Sequence, residues 1–170
     1  EIKSYTGRPY LKFRRPEGDL KEAQTNLQET WQKVCGQLED LKKAFWAIFP
    51  KLNGQTYKRN TFENVFTDLK TNAESSRLPR LSKQTLGKLS LFSVDTLNSK
   101  LKKEYKADAD APEIIQLQAL ANLGRDLQAM ESAEEAAFIC LQLDLLSYIN
   151  QSVAEQKKSR RERVFDDLLL

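Results

Sequence analysis

The chain has 170 residues, of which 40% are hydrophobic and 30% charged, with a formal net charge of +3. This length and composition are typical of one globular domain with its own core, not of a disordered chain. No run of about 18 apolar residues is present, so we expect no membrane span. There is no histidine, which removes the commonest general base and the commonest transition-metal ligand.

The first 18 residues predict an extended lead-in, because they contain two prolines, two glycines and the basic cluster KFRRP. A long helix is then predicted from Gly18 and Asp19, with Asp19 as its N-cap. Its apolar residues recur at steps of three and four from Leu20 to Ile48, which is typical of one buried helical stripe. Pro50 and the pair Asn53-Gly54 end this helix. Its aromatic residues are interpreted as core; they are Trp31, Phe45 and Trp46.

The middle of the chain predicts shorter helices. One spans 60–71 and places Phe62, Val65, Phe66 and Leu69 on a single face. The stretch NAESSRLPR predicts a loop, and short helices are predicted after it at 82–89 and 94–101. The stretch KADADAP reads as a second loop that sets up the next helix.

Two helices are predicted for the rest of the chain. Asp110 can cap the first, and Pro112 lies in its first turn, where a missing N–H costs nothing. That helix runs to about Met130, and a last long helix begins in ESAEEAAF and reaches the basic run at 157–163. With no convincing strand, the expected fold is an all-α, irregular helical bundle with long first and last helices.

The two cysteines, Cys35 and Cys140, both fall in apolar helical stretches. We interpret them as small core residues in a reducing compartment, and a disulfide between them is the less favoured alternative.

The sequence contains few of the motifs that support catalysis. There is no phosphate-binding G-x-x-x-x-G-K-[ST] loop and no zinc-binding C-x-x-C pair. Without histidine, a serine or cysteine nucleophile lacks its usual base. Catalysis by this chain alone is therefore not expected, and no residue is assigned as catalytic or metal-binding.

Positive charge is concentrated in the middle of the chain. Residues 51–106 contain 12 Lys and Arg against 5 Asp and Glu, a charge of +7, and the remainder carries −4. This asymmetry favours a polyanion partner, although a Lys-rich solvated surface would give the same count. Loop-borne cations suit phosphate contacts. The candidate DNA-phosphate contacts are Lys58, Arg59, Arg77, Arg80, Lys83 and Lys88, and a second basic cluster comprises Lys100, Lys102, Lys103 and Lys106.

The sequence ends on RRERVFDDLLL, in the middle of a rising apolar run. A polar, frayed end is more usual, so we expect the chain to be a piece of a larger protein. The last three leucines would then be the stump of a helix that packs on the missing part, or else ordinary core of this piece. The basic run 157–163 either contacts DNA or a neighbouring domain, or is a solvated face near a helix C-terminus.

Several segments in this order resemble the RecB family, the beta subunits of exodeoxyribonuclease V helicase–nucleases. They are the opening EIKSYTGRPYLKFRRPEGDL, then LNGQTYKRNTFENVFTDL, LPRLSKQTLGKLSLFSVDTLNSKLKK, the proline-started helix and the closing EQKKSRRERVFDDLLL. The similar region of the family is the helical insertion of the first motor domain, called domain 1B. The resemblance spans nearly the whole chain, and it depends on the order and spacing of motifs that are individually weak.

The resemblance implies that this chain is a non-catalytic part of a larger enzyme. The parent protein would be a cytoplasmic enzyme that binds ATP and Mg²⁺, unwinds duplex DNA from a broken end and degrades it, together with RecC-like and RecD-like subunits. Residues 19–163 would form a non-catalytic arm against the duplex, after the lead-in at 1–18. Residues 164–170 would return to the motor domain. The implied motor-domain junction is Phe165, Asp166, Asp167, Leu168 and Leu169.

Two other interpretations stay open. One is the insertion domain of a related helicase of the UvrD or AddA kind, which the parent's C-terminal nuclease domain would distinguish from RecB. The other is a helical protein-interaction scaffold with no role on DNA, with which the apolar stripe of the first helix is compatible. Salt-dependent DNA binding separates the helicase interpretations from the scaffold.

Overall fold

The computed structural model describes residues 17–75, 78–108 and 111–160, and these residues form helices and loops without a strand. The all-α prediction is confirmed. The α-helices are α1 (Glu17–Ile48), α2 (Arg59–Ala73), α3 (Lys83–Leu89), α4 (Val94–Lys100) and α5 (Pro112–Arg160). Short 3₁₀ segments lie at Phe49–Lys51, Ser90–Phe92 and Lys103–Asp108. None of the described helices has a stretch long and apolar enough to cross a membrane.

The chain divides into two compact units. We call Lys21–Ser132 the core unit, and Glu1–Leu20 with Ala133–Leu170 the terminal unit. The buried apolar residues of the described chain all belong to the core unit, from Leu27 in α1 to Leu123 in α5. In the described part of the terminal unit, the large apolar side chains of α5 are instead exposed.

Helix α1 follows its predicted stripe. The buried positions continue at steps of three and four, and they are Leu27, Trp31, Val34, Leu38, Leu41, Phe45 and Ile48. The helix begins at Glu17, one residue before Gly18, the first residue of the predicted start. Asp19 therefore lies inside the first turn, and its assignment as the N-cap is wrong.

The short helices begin where their sequences predict. The Ser82 and Ser93 hydroxyls accept hydrogen bonds from the Thr85 and Thr96 amides, and so cap α3 and α4. Pro112 is the first residue of α5, as predicted. Helix α2 is longer than predicted at both ends, and KADADAP is in part a 3₁₀ segment rather than an open loop. The capping role of Asp110 lies outside the described residues.

The break predicted after Met130 is wrong, because α5 is one continuous helix of 49 residues. The stretch from Met130 to Phe138 contains no proline or glycine and is rich in Ala and Glu, which are strong helix formers. Nothing in it terminates a helix. The Glu and Ala residues that suggested a new start instead extend the existing one.

The cysteines are free thiols and both are half-buried. Cys35 packs against the core, in agreement with its interpretation as a small core residue. Cys140 lies on the part of α5 that belongs to the terminal unit, and it is not among the side chains that pack against the core. Its interpretation as a core residue is therefore wrong.

Aromatic side chains fill the centre of the core unit. The ring of Phe45, which is fully buried, lies 4.9–6.3 Å from six other rings, centroid to centroid. These neighbours come from α1, α2 and the segments between the helices, and they are Trp46, Phe49, Tyr57, Phe62, Phe66 and Phe92. The cluster joins α1 and α2 to the 3₁₀ segment at Ser90–Phe92, so it fixes where α2 and this segment lie against α1.

Tyr57 gives this cluster a pH dependence. Its ring is 1% exposed, its hydroxyl donates to the Leu91 carbonyl at 2.7 Å, and burial raises its pKa to about 12. An unfolded tyrosine loses its proton near pH 10. The contribution of Tyr57 is therefore complete below pH 10 and is lost as the pH rises toward 12.

We expect Tyr57→Phe to lower the free energy of unfolding by about 1–3 kcal/mol at pH 8, because the Leu91 carbonyl loses its donor. The difference between the two proteins should shrink between pH 10 and 12, since phenylalanine does not titrate. Urea unfolding of both proteins at pH 8, 10 and 11 measures this. A difference that stays constant over that range would contradict the assignment.

Candidate nucleic-acid interface

Four of the predicted phosphate contacts lie near the two ends of α2. Lys58 is the residue before the helix and Arg59 is its first residue. Arg80 and Lys83 come after its other end, and the Arg80 amide donates to the Asn72 side chain in the last turn at 2.8 Å. A helix of 15 residues is about 22 Å long. The structure therefore separates the candidates into two groups instead of one cluster.

A set of hydrogen bonds from α2 braces the segment that carries Arg80 and Lys83. The Asp68 carboxylate accepts from the Ser82 amide at 3.0 Å, and the Asn72 side chain accepts from the Arg80 amide. The side-chain Nδ2 of Asn72 also donates to the Asp68 carboxylate at 3.1 Å, and this bond holds the two side chains together. These bonds fix the backbone of residues 80–82 against the last turns of α2.

The pKa of Asp68 reflects this arrangement. Partial burial acts to raise it, but hydrogen bonds from Thr85 and from the amide and hydroxyl of Ser82 outweigh burial and hold it below its ordinary value. The carboxylate is therefore charged at neutral pH and keeps its role as an acceptor. The hydrogen bonds that the Asp68 carboxylate accepts are fully present above the ordinary pKa of an aspartate. They are lost as the pH falls through the lowered pKa of Asp68.

Arg59 has internal partners that the sequence did not reveal. Its Nε donates to Glu63 at 3.0 Å, one turn further along α2, and its guanidinium lies 5.4 Å from the ring centroid of Trp46. The Glu63 spacing of four residues was a readable signal. The Trp46 contact depends on how α1 and α2 pack, which no local pattern gives. Arg59 is still 72% exposed, but part of its donor capacity is used within the protein.

The other candidates differ in how available they are. Lys58, Arg80 and Lys83 are exposed, and none of them forms an ion pair with any residue that the structure describes. Lys88 is half-buried in the last turn of α3. Arg77 lies outside the described residues. Lys58, Arg80 and Lys83 are thus the candidates best placed to meet an anion.

Two members of the second basic cluster have a structural role. Lys102 Nζ donates to the Pro50 carbonyl at 2.6 Å and Lys106 Nζ donates to the Asn98 carbonyl at 2.8 Å. The first of these bonds supports an isolated bridge between Leu52 and Leu101, which ties the segment after α1 to the end of α4. Charge alone could not distinguish these lysines from ones that face a ligand.

The predicted motor-domain junction, Phe165 to Leu169, lies outside the described residues. So do residues 161–163 of the basic run, while Lys157 is half-buried on α5. The division of the chain at residues 18 and 163 therefore stays a prediction. Within 17–75, 78–108 and 111–160, no group of three or more Cys, Asp and Glu side chains could hold a metal ion.

The chain matches no protein-family model, no curated protein and no solved structure.

Proposed function

We propose that this chain is the DNA-contacting insertion domain of a RecB-type helicase–nuclease, a non-catalytic arm that meets backbone phosphates of the duplex ahead of the fork. In this proposal the parent protein acts in the cytoplasm in double-strand-break repair and recombination. It binds ATP and Mg²⁺ outside this chain and works with RecC-like and RecD-like subunits. The order of sequence motifs supports the family assignment, and the exposed cations around α2 support the contact with DNA.

One observation carries the DNA contact: Arg80 and Lys83 lie beside a backbone segment that Asp68 and Asn72 brace. Neither cation forms an ion pair with a described residue. A cation on a fixed backbone loses less conformational entropy on binding than one on a free loop. A cation without a carboxylate partner also gives up no existing ion pair when it meets a phosphate. Both properties favour phosphate binding.

The separation along α2 suits a duplex. Along the helix axis, Lys58 lies about 15 Å from Asp68 and about 21 Å from Asn72, the residues that bind the other group. These lengths correspond to about four to six base pairs of B-DNA. Contacts so spaced would hold the arm along the backbone without reading bases. This is what an arm needs if its parent acts on DNA of any sequence.

The test is fluorescence anisotropy of the chain with a blunt duplex, a forked duplex and a single strand over a salt series. We expect a preference for duplex or fork, with log affinity falling linearly with log salt. The triple variant Lys58→Ala, Arg80→Ala, Lys83→Ala should reduce the slope by about three, because each phosphate contact contributes about 0.9.

The matched control removes three exposed lysines of α1, in the variant Lys21→Ala, Lys33→Ala, Lys43→Ala. It changes the net charge by the same amount and leaves the candidate surface intact, so its slope should stay near that of the wild type. Equal slopes for the two triple variants would mean that net charge alone attracts DNA, which would refute the assigned contacts. Absence of DNA binding at low salt would refute the arm itself.

A second candidate function, a helical protein-interaction scaffold, is favoured by the exposed apolar side chains of α5 between Phe138 and Val153. Absence of DNA binding by a folded chain would favour it. DNA binding with the expected slope change would favour the arm.

A further inference from the structure

The terminal unit exposes an apolar surface on α5, which we call the distal face. Its side chains are between 42% and 69% exposed, and they are Phe138, Ile139, Leu141, Leu143, Leu145, Leu146, Tyr148, Ile149 and Val153. They occupy more than half of the helix circumference at 100 degrees per residue. Isolated exposed leucines are ordinary, but a contiguous apolar surface of this kind marks a binding site.

The distal face is bordered mainly by negative charge, with the first cation, Lys157, one turn beyond Val153. Residues 131–156 of α5 contain five carboxylates and no lysine or arginine. These are Glu131, Glu134, Glu135, Asp144 and Glu155. A second copy packed in parallel would bring these carboxylates together, which is unfavourable. The face instead suits a segment with apolar side chains between basic ones.

The first 16 residues of this chain have that composition. They contain five basic residues against one acidic residue, a net charge of +4, and the basic ones are Lys3, Arg8, Lys12, Arg14 and Arg15. Between these lie the apolar side chains of Ile2, Tyr5, Tyr10, Leu11 and Phe13. The two prolines, Pro9 and Pro16, disfavour a helix and favour an extended run.

The segment 1–16 is also long enough to cover the distal face. Sixteen extended residues reach about 50 Å, whereas Phe138 to Val153 covers only about 22 Å of helix. The segment is also joined directly to α1, which begins at Glu17. We propose that residues 1–16 dock on the distal face of α5, with their apolar side chains covering Phe138 to Val153 and their basic side chains meeting the carboxylates around it. This proposal does not depend on the DNA-binding role.

The test is hydrogen exchange of the full chain, read at the α5 amides of residues 138–153. Reversing three basic residues, in the variant Arg8→Glu, Lys12→Glu, Arg14→Glu, should speed exchange there by about tenfold and raise the binding of an apolar dye. Adding Glu134→Lys, Glu135→Lys and Asp144→Lys to the same chain should restore slow exchange, because the charges are again complementary. Near-ultraviolet circular dichroism of Trp31 and Trp46 reports separately that the core unit stays folded.

The matched control reverses three exposed lysines of the core unit, in the variant Lys33→Glu, Lys42→Glu, Lys70→Glu, and should leave exchange at 138–153 unchanged. Exchange that is equally fast in the wild type and the Arg8, Lys12, Arg14 variant would overturn the proposal. Protection of the distal face that increases with protein concentration would overturn it too, in favour of a second copy of the chain.

Discussion

Replacing Phe45 with alanine should lower the free energy of unfolding by about 3–5 kcal/mol, the largest effect that we expect from a single substitution in the core. Phe45 has no exposed surface, and its ring contacts six aromatic rings that come from α1, α2 and the segments between the helices. Removing it leaves a cavity that rigid neighbours cannot fill by small movements. Urea unfolding followed by far-ultraviolet circular dichroism measures the change.

Two further variants separate cavity formation from the loss of an aromatic contact. Phe45→Leu keeps most of the volume, so we expect a loss of only about 1–1.5 kcal/mol. Phe49→Ala makes the same chemical change as Phe45→Ala at the half-buried edge of the cluster, where water can occupy part of the space. Its loss should be about 1–2 kcal/mol. If Phe49→Ala cost as much as Phe45→Ala, Phe45 would not be the centre of the core.

The helices themselves were predictable because their signals are local. The stripe of α1, the face of α2 and the serine caps of α3 and α4 all depend on residues within one or two turns of each other. Local signals also explain why the sequence predicts a break in α5 that the structure does not have. Acidic and small residues after Met130 resemble a helix start, but a helix ends only where something stops it, and nothing there does.

The candidate surface was less predictable because it depends on tertiary contacts. Charge and loop placement selected Lys58, Arg80 and Lys83, which are exposed. The same criteria selected Arg59, which contacts Glu63 and Trp46. They also gave Lys102 and Lys106 as candidates, although these lysines bind backbone carbonyls. A sequence shows which residues carry charge, but the partner of a long side chain is set by elements that can lie 50 residues away.

Gly124 offers a test of how closely α3 and α5 approach each other. A Cβ atom added at this position would lie 2.8 Å from the Cβ of Leu89, which is itself fully buried in α3. Alanine normally stabilises a helix interior by about 1 kcal/mol relative to glycine. Here the clash involves an atom next to the Leu89 backbone, so relief requires α3 to move. Overpacking of this kind costs about 1–3 kcal/mol, and we expect Gly124→Ala to destabilise the protein.

Gly36 is the matched control, because it also lies in the middle of a long helix. A Cβ added there meets nothing within 4 Å, so Gly36→Ala should gain about 0.5–1 kcal/mol through helix propensity alone. The same substitution should therefore have opposite signs in α1 and α5, and chemical unfolding of the two variants measures both. Stabilisation by Gly124→Ala would mean that α3 and α5 are farther apart than described. Since α3 begins with Lys83, such a result would also displace part of the proposed DNA-contacting surface.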